Sequence, residues 1–293
     1  MRIAVTGKQG QVVSSLVDVG PELGVEVVPV GRPELDLLAS ETVHPALANE
    51  RPDVIVNAAA YTAVDQAEKE PAQAMAVNAK GARTVADAAR ALGVPVIHLS
   101  TDYVFDGSKP MPYVEEDPVA PANIYGASKL AGERAVAAAT RDHVIVRTAW
   151  VYSPYGKNFV RTMLTLAQNR NEIRVVADQR GCPTYAHDIA VCIVEIARNL
   201  LDRPQDEQLR GIFHLACAGE TNWAEFASAI FESLRLLGKP VPAVKPITTA
   251  EYPTPARRPA NSRLDCGKLA RLHGVRLPPW RASLKDCLSR LTT

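Results

Sequence analysis

The sequence predicts an α/β fold built on a doubly wound parallel sheet, and three observations carry that prediction. Short β-branched apolar runs alternate with helical patterns through the first half of the chain. The first of those runs breaks at a glycine turn. The second half is less regular and richer in proline, as expected of a smaller C-terminal α/β part. Runs apolar on both faces suit parallel strands covered on two sides, and strand–helix alternation implies right-handed crossovers.

In order, the strands are expected at residues 2–6, 25–30, 53–57, 94–99 and 143–147. Helices are expected near 10–19, 40–50, 72–92 and 125–141. In such sheets ligands bind beyond the carboxyl ends of the strands. Gly7, Asn57 and Ser100 sit at those ends and should converge on one crevice. Farther on, residues 187–201 read as a helix, as do 222–237, where Trp223, Phe226, Ala227, Ile230, Leu234 and Leu237 recur at helical spacing. Thr221-Asn222, with Glu225 following, forms a cap; the stripe itself reads as core. Segment 245–262 is a long, proline-rich loop with adjacent arginines, Arg257 and Arg258, of the kind that carries function. A last helix is expected after Ser283, with Asp286 as its capping partner. The acidic run Glu115-Glu116-Asp117 reads as a solvated loop.

Composition excludes several classes. The formal charge is +1 over 293 residues with no long run of one sign, so neither nucleic acid nor an anionic membrane is an expected partner. Five cysteines at scattered spacings form no Cys-x-x-Cys pair and no zinc pattern, which suits thiols in a reducing compartment. No signal-peptide core and no membrane-spanning apolar run is seen, and a cytoplasmic location is expected.

Gly7-x-x-Gly10, between a strand and a helix, is what a pyrophosphate cradle requires, because bare backbone and open helix N–H groups can approach phosphate. Val13 stands where a third glycine usually permits close helix–sheet packing, and the helix is expected to stand off slightly. After the second strand, Arg32 replaces the acid that would bind ribose hydroxyls. An arginine there can pair with a 2′-phosphate, which favours NADPH with NADH possible; the alternative is an exposed loop charge. Asp36 and Leu37 follow and can lie against the adenine.

Tyr125 and Lys129 share a helix face. A nearby ammonium favours phenolate and should lower the tyrosine pKa from its usual ~10. Thr101, at the end of the fourth strand, can donate to a substrate carbonyl. Together these three make a proton-delivery site beside a hydride source.

Thr6-Gly7-x-x-Gly10, Asn57-Ala58-Ala59-Ala60, Ser100-Thr101-Asp102-Tyr103-Val104-Phe105 and Tyr125-x-x-x-Lys129 together resemble the extended short-chain dehydrogenase/reductases. Residues 51–65, 100–105, 147–152, 181–184 and 258–264 resemble, within them, the family that reduces dTDP-4-dehydrorhamnose. The resemblance spans nearly the whole chain. It implies a Rossmann-like dinucleotide-binding part over 1–150, with the chain returning to it over roughly 186–216, and a mainly substrate-binding part over 151–293. It also implies reduction of the 4-keto group of dTDP-4-dehydro-L-rhamnose by NAD(P)H to dTDP-L-rhamnose, a step of nucleotide-sugar biosynthesis. By matching position, Gly10, Gln11 and Val12 would hold the pyrophosphate, Asp36 and Leu37 the adenosine, and Ala60, Tyr61 and Thr62 the nicotinamide side. Lys129 would hold the nicotinamide ribose. Thr101, Asp102 and Trp150 would contact the sugar, and Arg258 and Asn261 the diphosphate end. Asp102 could instead be a cap, and Trp150 core packing. Some members are magnesium-linked dimers using glutamates. Ser15 and His187 stand at those positions here, so no metal is expected, and the chain is read as monomer or homodimer.

Two rivals share the fold: a nucleotide-sugar dehydratase or epimerase, and a non-catalytic subunit like the β subunit of methionine adenosyltransferase. Thr101-Asp102-Tyr103 lacks the Asp-Glu pair a dehydratase needs. Retention of Tyr125, Lys129 and Thr101 speaks against the non-catalytic reading.

Overall fold

In the computed structural model, which describes residues 1–292, six parallel strands form one sheet. They are β1 (Arg2–Thr6), β2 (Glu26–Val30), β3 (Val54–Asn57), β4 (Val96–Thr101), β5 (His143–Thr148) and β6 (Gly211–His214). Their spatial order is β2-β1-β3-β4-β5-β6, all pairs parallel. The order reverses between β1 and β3. That is the switch point at which doubly wound sheets hold ligands.

The strands form where expected because their side chains are apolar on both faces: Ile3, Ala4, Val5, Val54, Ile55 and Val56 are fully buried. Helices α1 (Gln11–Glu22), α2 (Ser40–Asn49), α3 (Ala82–Leu92), α4 (Ile124–Ala139), α5 (Phe159–Ala167), α6 (Ala186–Asp202), α7 (Trp223–Leu236) and α8 (Trp280–Thr292) cover the sheet or build the second half. Val13 is 2% exposed, with its Cγ2 set beside Gly7 and Gly10, so the branched residue is absorbed into the core. Asn222 caps α7 by accepting from the Glu225 N–H at 2.8 Å.

Several elements depart from the expectations. The helix expected over 72–92 is three pieces: Pro71–Met75, a π-helical turn Ala76–Gly81, and α3. The extra residue per turn lets Asn78 project into the polar interior described below. Segment 245–262 is not all loop. Ala243–Ile247 pairs in parallel with Glu172–Val176, and only the residues beyond Thr249–Glu251 are irregular. The last helix starts at Trp280, so Ser283 lies within it and donates to Asp188 Oδ2 at 2.6 Å instead of capping. The acidic run is engaged: Glu115 accepts from the His214 N–H, and Asp117 pairs with Lys109.

α4 approaches its neighbours more closely than any residue with a side chain would allow. A Cβ on Gly126 would lie 2.1 Å from the Tyr103 carbonyl oxygen, and one on Gly132 would lie 2.2 Å from that of Asn78. Both neighbours are backbone and cannot swing aside. Gly132→Ala is expected to cost about 1–3 kcal/mol or more, read as a lower urea midpoint; an unchanged midpoint would show that α4 can retreat freely.

Candidate active site

The crevice at the β1/β3 switch point has a volume of about 490 Å³, and Gly7, Lys8, Arg32, Asp36, Ala60 and Tyr61 are among its lining residues. Gly7 turns with φ 101°. The Thr6 hydroxyl donates to Asn57 Oδ1 at 2.8 Å and accepts from the Ala58 and Ala59 N–H groups, locking the ends of β1 and β3 together. Asn57 Nδ2 in turn meets His98 Nδ1 at 3.0 Å. Gly10 is the N-cap of α1 and provides no side-chain cap, so the first-turn N–H groups stay open to an anion.

The expected cofactor residues are distributed unevenly over this crevice. Leu37 lines it with the residues above. Arg32 is exposed beside the ion pair of Lys8 with Glu34, 2.5 Å apart. Thr62 is exposed and lies outside the lining. The Gln11 side chain faces the 151–153 segment, accepting from the Ser153 hydroxyl at 2.9 Å, and Val12 is buried. Gly10, Gln11 and Val12 can therefore offer backbone, not side chains.

At the end of β4, Thr101, Tyr125 and Lys129 are brought together. The Thr101 hydroxyl donates to Asp102 Oδ1 at 3.1 Å and accepts from the Tyr103 N–H. It also faces Tyr125, where a hydrogen bond partly offsets the effect of burial. Tyr103 meets the Tyr125 ring edge-on, centroids 5.5 Å apart. Lys129 is 3% exposed, and its ammonium donates to the Leu99 carbonyl at 2.6 Å.

Burial reverses one expectation. The Tyr125 phenol is pushed well above the ordinary tyrosine value by desolvation, and the Asp102 charge adds to the rise. The same burial brings Lys129 down to about 8, against an opposing pull from Glu133. The loss of water dominates the phenol in this arrangement, and the lowering expected from the ammonium is not seen. Asp102, also buried, is raised to about 6 by desolvation, against hydrogen bonds from Ser262 and Thr101.

A second cleft, of about 720 Å³, opens beside this cluster between Asp65, Tyr103 and Arg258 on one side and Phe159, Val175 and Trp223 on the other. Arg258 spans from Tyr103 Oη (3.1 Å) to Asp65 Oδ2 (2.7 Å) and lines the cleft. Trp150 is set one layer back. It adopts φ 50° and stacks on Trp223 at 3.6 Å, with Gly181 beneath it, where a Cβ would fall 2.5 Å from the indole. Trp223, read from the sequence as core, is the indole that reaches the cleft.

Asn261 does not reach the cleft as a free group. Its amide donates to the Lys109 and Met111 carbonyls, and its oxygen accepts twice from Arg263, which uses all its hydrogen-bonding capacity. Ser100, expected at the crevice, turns inward to Glu133. Ser15 is buried within α1, and the His187 ring stacks on Tyr185. Among the described residues no cluster of three or more His, Cys, Asp or Glu groups could hold a metal ion.

Sequence reasoning missed three residues that shape this site. Asn78, on the π-helical turn, accepts from the Tyr61 N–H and donates to the Ser128 hydroxyl, tying crevice to α4. Glu133 and Arg147 form a buried bidentate pair behind Lys129. The signals were present: an arginine inside the apolar strand run 143–147, and an acid four residues after Lys129.

Comparison with known proteins places these features in a family. The family described as RmlD substrate binding domain matches residues 1–293. A dTDP-4-dehydrorhamnose reductase of Sinorhizobium fredii is 54% identical over 97% of this chain and 96% of its own length. One from Burkholderia thailandensis is 45% identical over 99% of each. The crystal structure of dTDP-4-dehydrorhamnose reductase from Bacillus anthracis in complex with NADP superposes with a TM-score of 0.90, at 38% identity and 99% coverage of both chains.

Asp102 makes the site's cost measurable. Its folded-state pKa, about 6, lies above the ordinary 3.8, so the folded protein holds this proton more tightly than the unfolded chain. Stability is therefore untouched below about pH 4 and is lost as pH rises from there through 6, by on the order of 3 kcal/mol at neutrality. Asp102→Asn is expected to melt at a higher temperature than wild type at pH 7.5, with little gain at pH 4. Equal gains at both pH values would contradict the assignment.

Proposed function

This chain belongs to the RmlD substrate-binding family, and from that premise we propose how its residues carry out the reduction of a keto nucleotide sugar. The reaction is reduction of the 4-keto group of dTDP-4-dehydro-L-rhamnose by NAD(P)H, giving dTDP-L-rhamnose. The observation that carries the site assignment is the meeting of Thr101, Tyr125 and Lys129 at the end of β4, between the glycine crevice and the cleft of Arg258. The crevice fits a dinucleotide: a side-chain-free turn, an open helix N-terminus and a 490 Å³ volume at the switch point. When bound, the dinucleotide supplies the hydride.

The chain's own groups supply the rest. Tyr125 gives its phenolic proton to the alkoxide formed at the former carbonyl. Its raised pKa serves this direction of reaction, because the phenol stays protonated until a much stronger base appears beside it. Thr101 turns its hydroxyl from Asp102 to the sugar oxygen and orients it. Lys129 spends one of three N–H donors on the Leu99 carbonyl, leaving two for ribose hydroxyls and the phenol. Arg258, neutralised by Asp65 in the free protein, meets the diphosphate, and Trp223 with Phe159 offers an apolar wall. Residues 1–150 then hold the dinucleotide and most of 151–293 the sugar nucleotide, with α6 and β6 returning to the sheet.

NADPH is the preferred donor in this reading. Arg32, exposed at the end of β2 and lining the crevice, supports it, with Lys8 near enough to add a second positive charge. Among the described residues no helix is long and apolar enough to cross a membrane.

Tyr125→Phe is expected to lower kcat by about 10²–10⁴-fold while NADPH still binds. Near wild-type turnover of the keto-sugar would remove Tyr125 from the acid role. Arg32→Ala is expected to raise KM for NADPH about tenfold or more and leave NADH nearly unchanged. Equal losses with both cofactors would show that Arg32 does not read the phosphate.

A further inference from the structure

Three successive residues of β4 engage three successive turns of α4. Thr101 faces Tyr125, the Leu99 carbonyl takes the Lys129 ammonium, and the Ser100 hydroxyl donates to Glu133 Oε1 at 2.5 Å. The third rung is a charge clamp. Arg147 donates from Nε to Glu133 Oε1 at 2.9 Å and from Nη2 to Oε2 at 2.7 Å. Ser100 and Arg147 are register partners on β4 and β5, directly before the Thr101–Thr148 pair. Glu133, Arg147 and Ser100 are 2%, 2% and 5% exposed.

A buried ion pair is a poor way to gain stability. Desolvating both charges offsets their attraction, and well-packed apolar replacements often do as well or better. The clamp therefore calls for another reason, and its position supplies one. We propose that Glu133, held by Arg147 and Ser100, is a positioning residue for the reductase: it fixes α4 so that Tyr125 and Lys129 meet Thr101, and it supplies the counter-charge to the Lys129 ammonium. The inference rests on the reductase reading above.

The surroundings of Lys129 support the counter-charge. On α4 it is flanked by Tyr125, a neutral phenol, and by Glu133 one turn on. From β4 come the Leu99 carbonyl and His98, whose ring burial holds neutral and whose charging Lys129 opposes. From β5 comes Arg147, already committed to Glu133. Asp102 hydrogen-bonds Thr101, and the neutral Asn78, from the π-helical turn, donates to the Ser128 hydroxyl beside Lys129 in sequence. Glu133 is the one charge among these that favours the ammonium against its burial.

The test compares Glu133→Gln with the double variant Glu133→Gln, Arg147→Met, which leaves no orphaned guanidinium. Two readouts are taken: the pH dependence of kcat/KM, and NMR titration of ¹³Cε-labelled lysine with the Lys129 signal assigned from Lys129→Met. The single variant is expected to melt well below wild type, and the double variant to recover most of that loss. In both, Lys129 should titrate lower by on the order of one pH unit, and the alkaline limb of kcat/KM should move to lower pH by the same amount. In the double variant kcat should fall about tenfold with KM for the keto-sugar little changed. A folded double variant with an unshifted Lys129 titration and an unshifted limb would make the clamp merely structural and overturn the proposal. The NMR readout needs no turnover. Failure of wild type to reduce the keto-sugar would therefore strike the function, while an unmoved lysine signal would strike this inference alone.

Discussion

Everything at this site depends on how near α4 can come to the strand ends. Gly126 and Gly132 let its backbone rest against the carbonyl oxygens of Tyr103 and Asn78, at distances no Cβ could share. Tyr125 directly precedes the first of these contacts, and Ser128 and Lys129 lie between the two. The approach thus sets the height of the phenol over Thr101 and the depth of the ammonium beneath Leu99. It also closes water out, and the exclusion of water sets the electrostatics of both groups. Packing and proton chemistry are here the same constraint.

That exclusion moves the two groups in opposite senses. Burial disfavours whichever form is charged, so it raises the phenol and lowers the ammonium. A reading that weighs only the Lys129 charge predicts a lowered tyrosine; adding desolvation inverts the result. The inversion suits a reductase. A phenolate has no proton to give, whereas a buried phenol keeps its proton until an alkoxide forms within reach. The buried carboxyl of Asp102, raised for the same reason, keeps additional negative charge away from that alkoxide at mildly acid pH.

Much of the fold was legible because its signals are local. β1 through β5 are short apolar runs that need no partner to be recognised, and the glycine turn after β1 follows from what phosphate requires of backbone. The Tyr125/Lys129 pair is legible from helical spacing alone. What escaped depends on distant partners. The pairing of Glu172–Val176 with Ala243–Ile247 joins segments about seventy residues apart, and neither is strongly apolar. The π-helical turn at Ala76–Gly81 has no distinct composition; it is selected by Asn78 reaching Tyr61 and Ser128. The start of α8 at Trp280 escaped because Ser283 looks like a cap in sequence, yet its hydroxyl is taken by Asp188 from another helix.

The substrate side was the less legible half for a related reason. Trp150 carries a recognisable motif but sits behind Trp223, which helical periodicity assigns to core; the stacked pair hands the exposed face to the residue with the blander pattern. Asn261 is polar and near a basic loop, yet its amide is saturated by backbone, so its place in the chain reflects loop architecture. Arg258 differs from it in one decisive respect. Among the described residues its guanidinium is held by Asp65 and Tyr103, both at the cleft edge, and the Asp65 carboxylate also fixes the loop through the Ala256 N–H. Arg258 and the Ala256 N–H thus share one carboxylate, one oxygen each. Asp65 therefore ties both the guanidinium and the backbone of the 252–262 segment to the cleft edge.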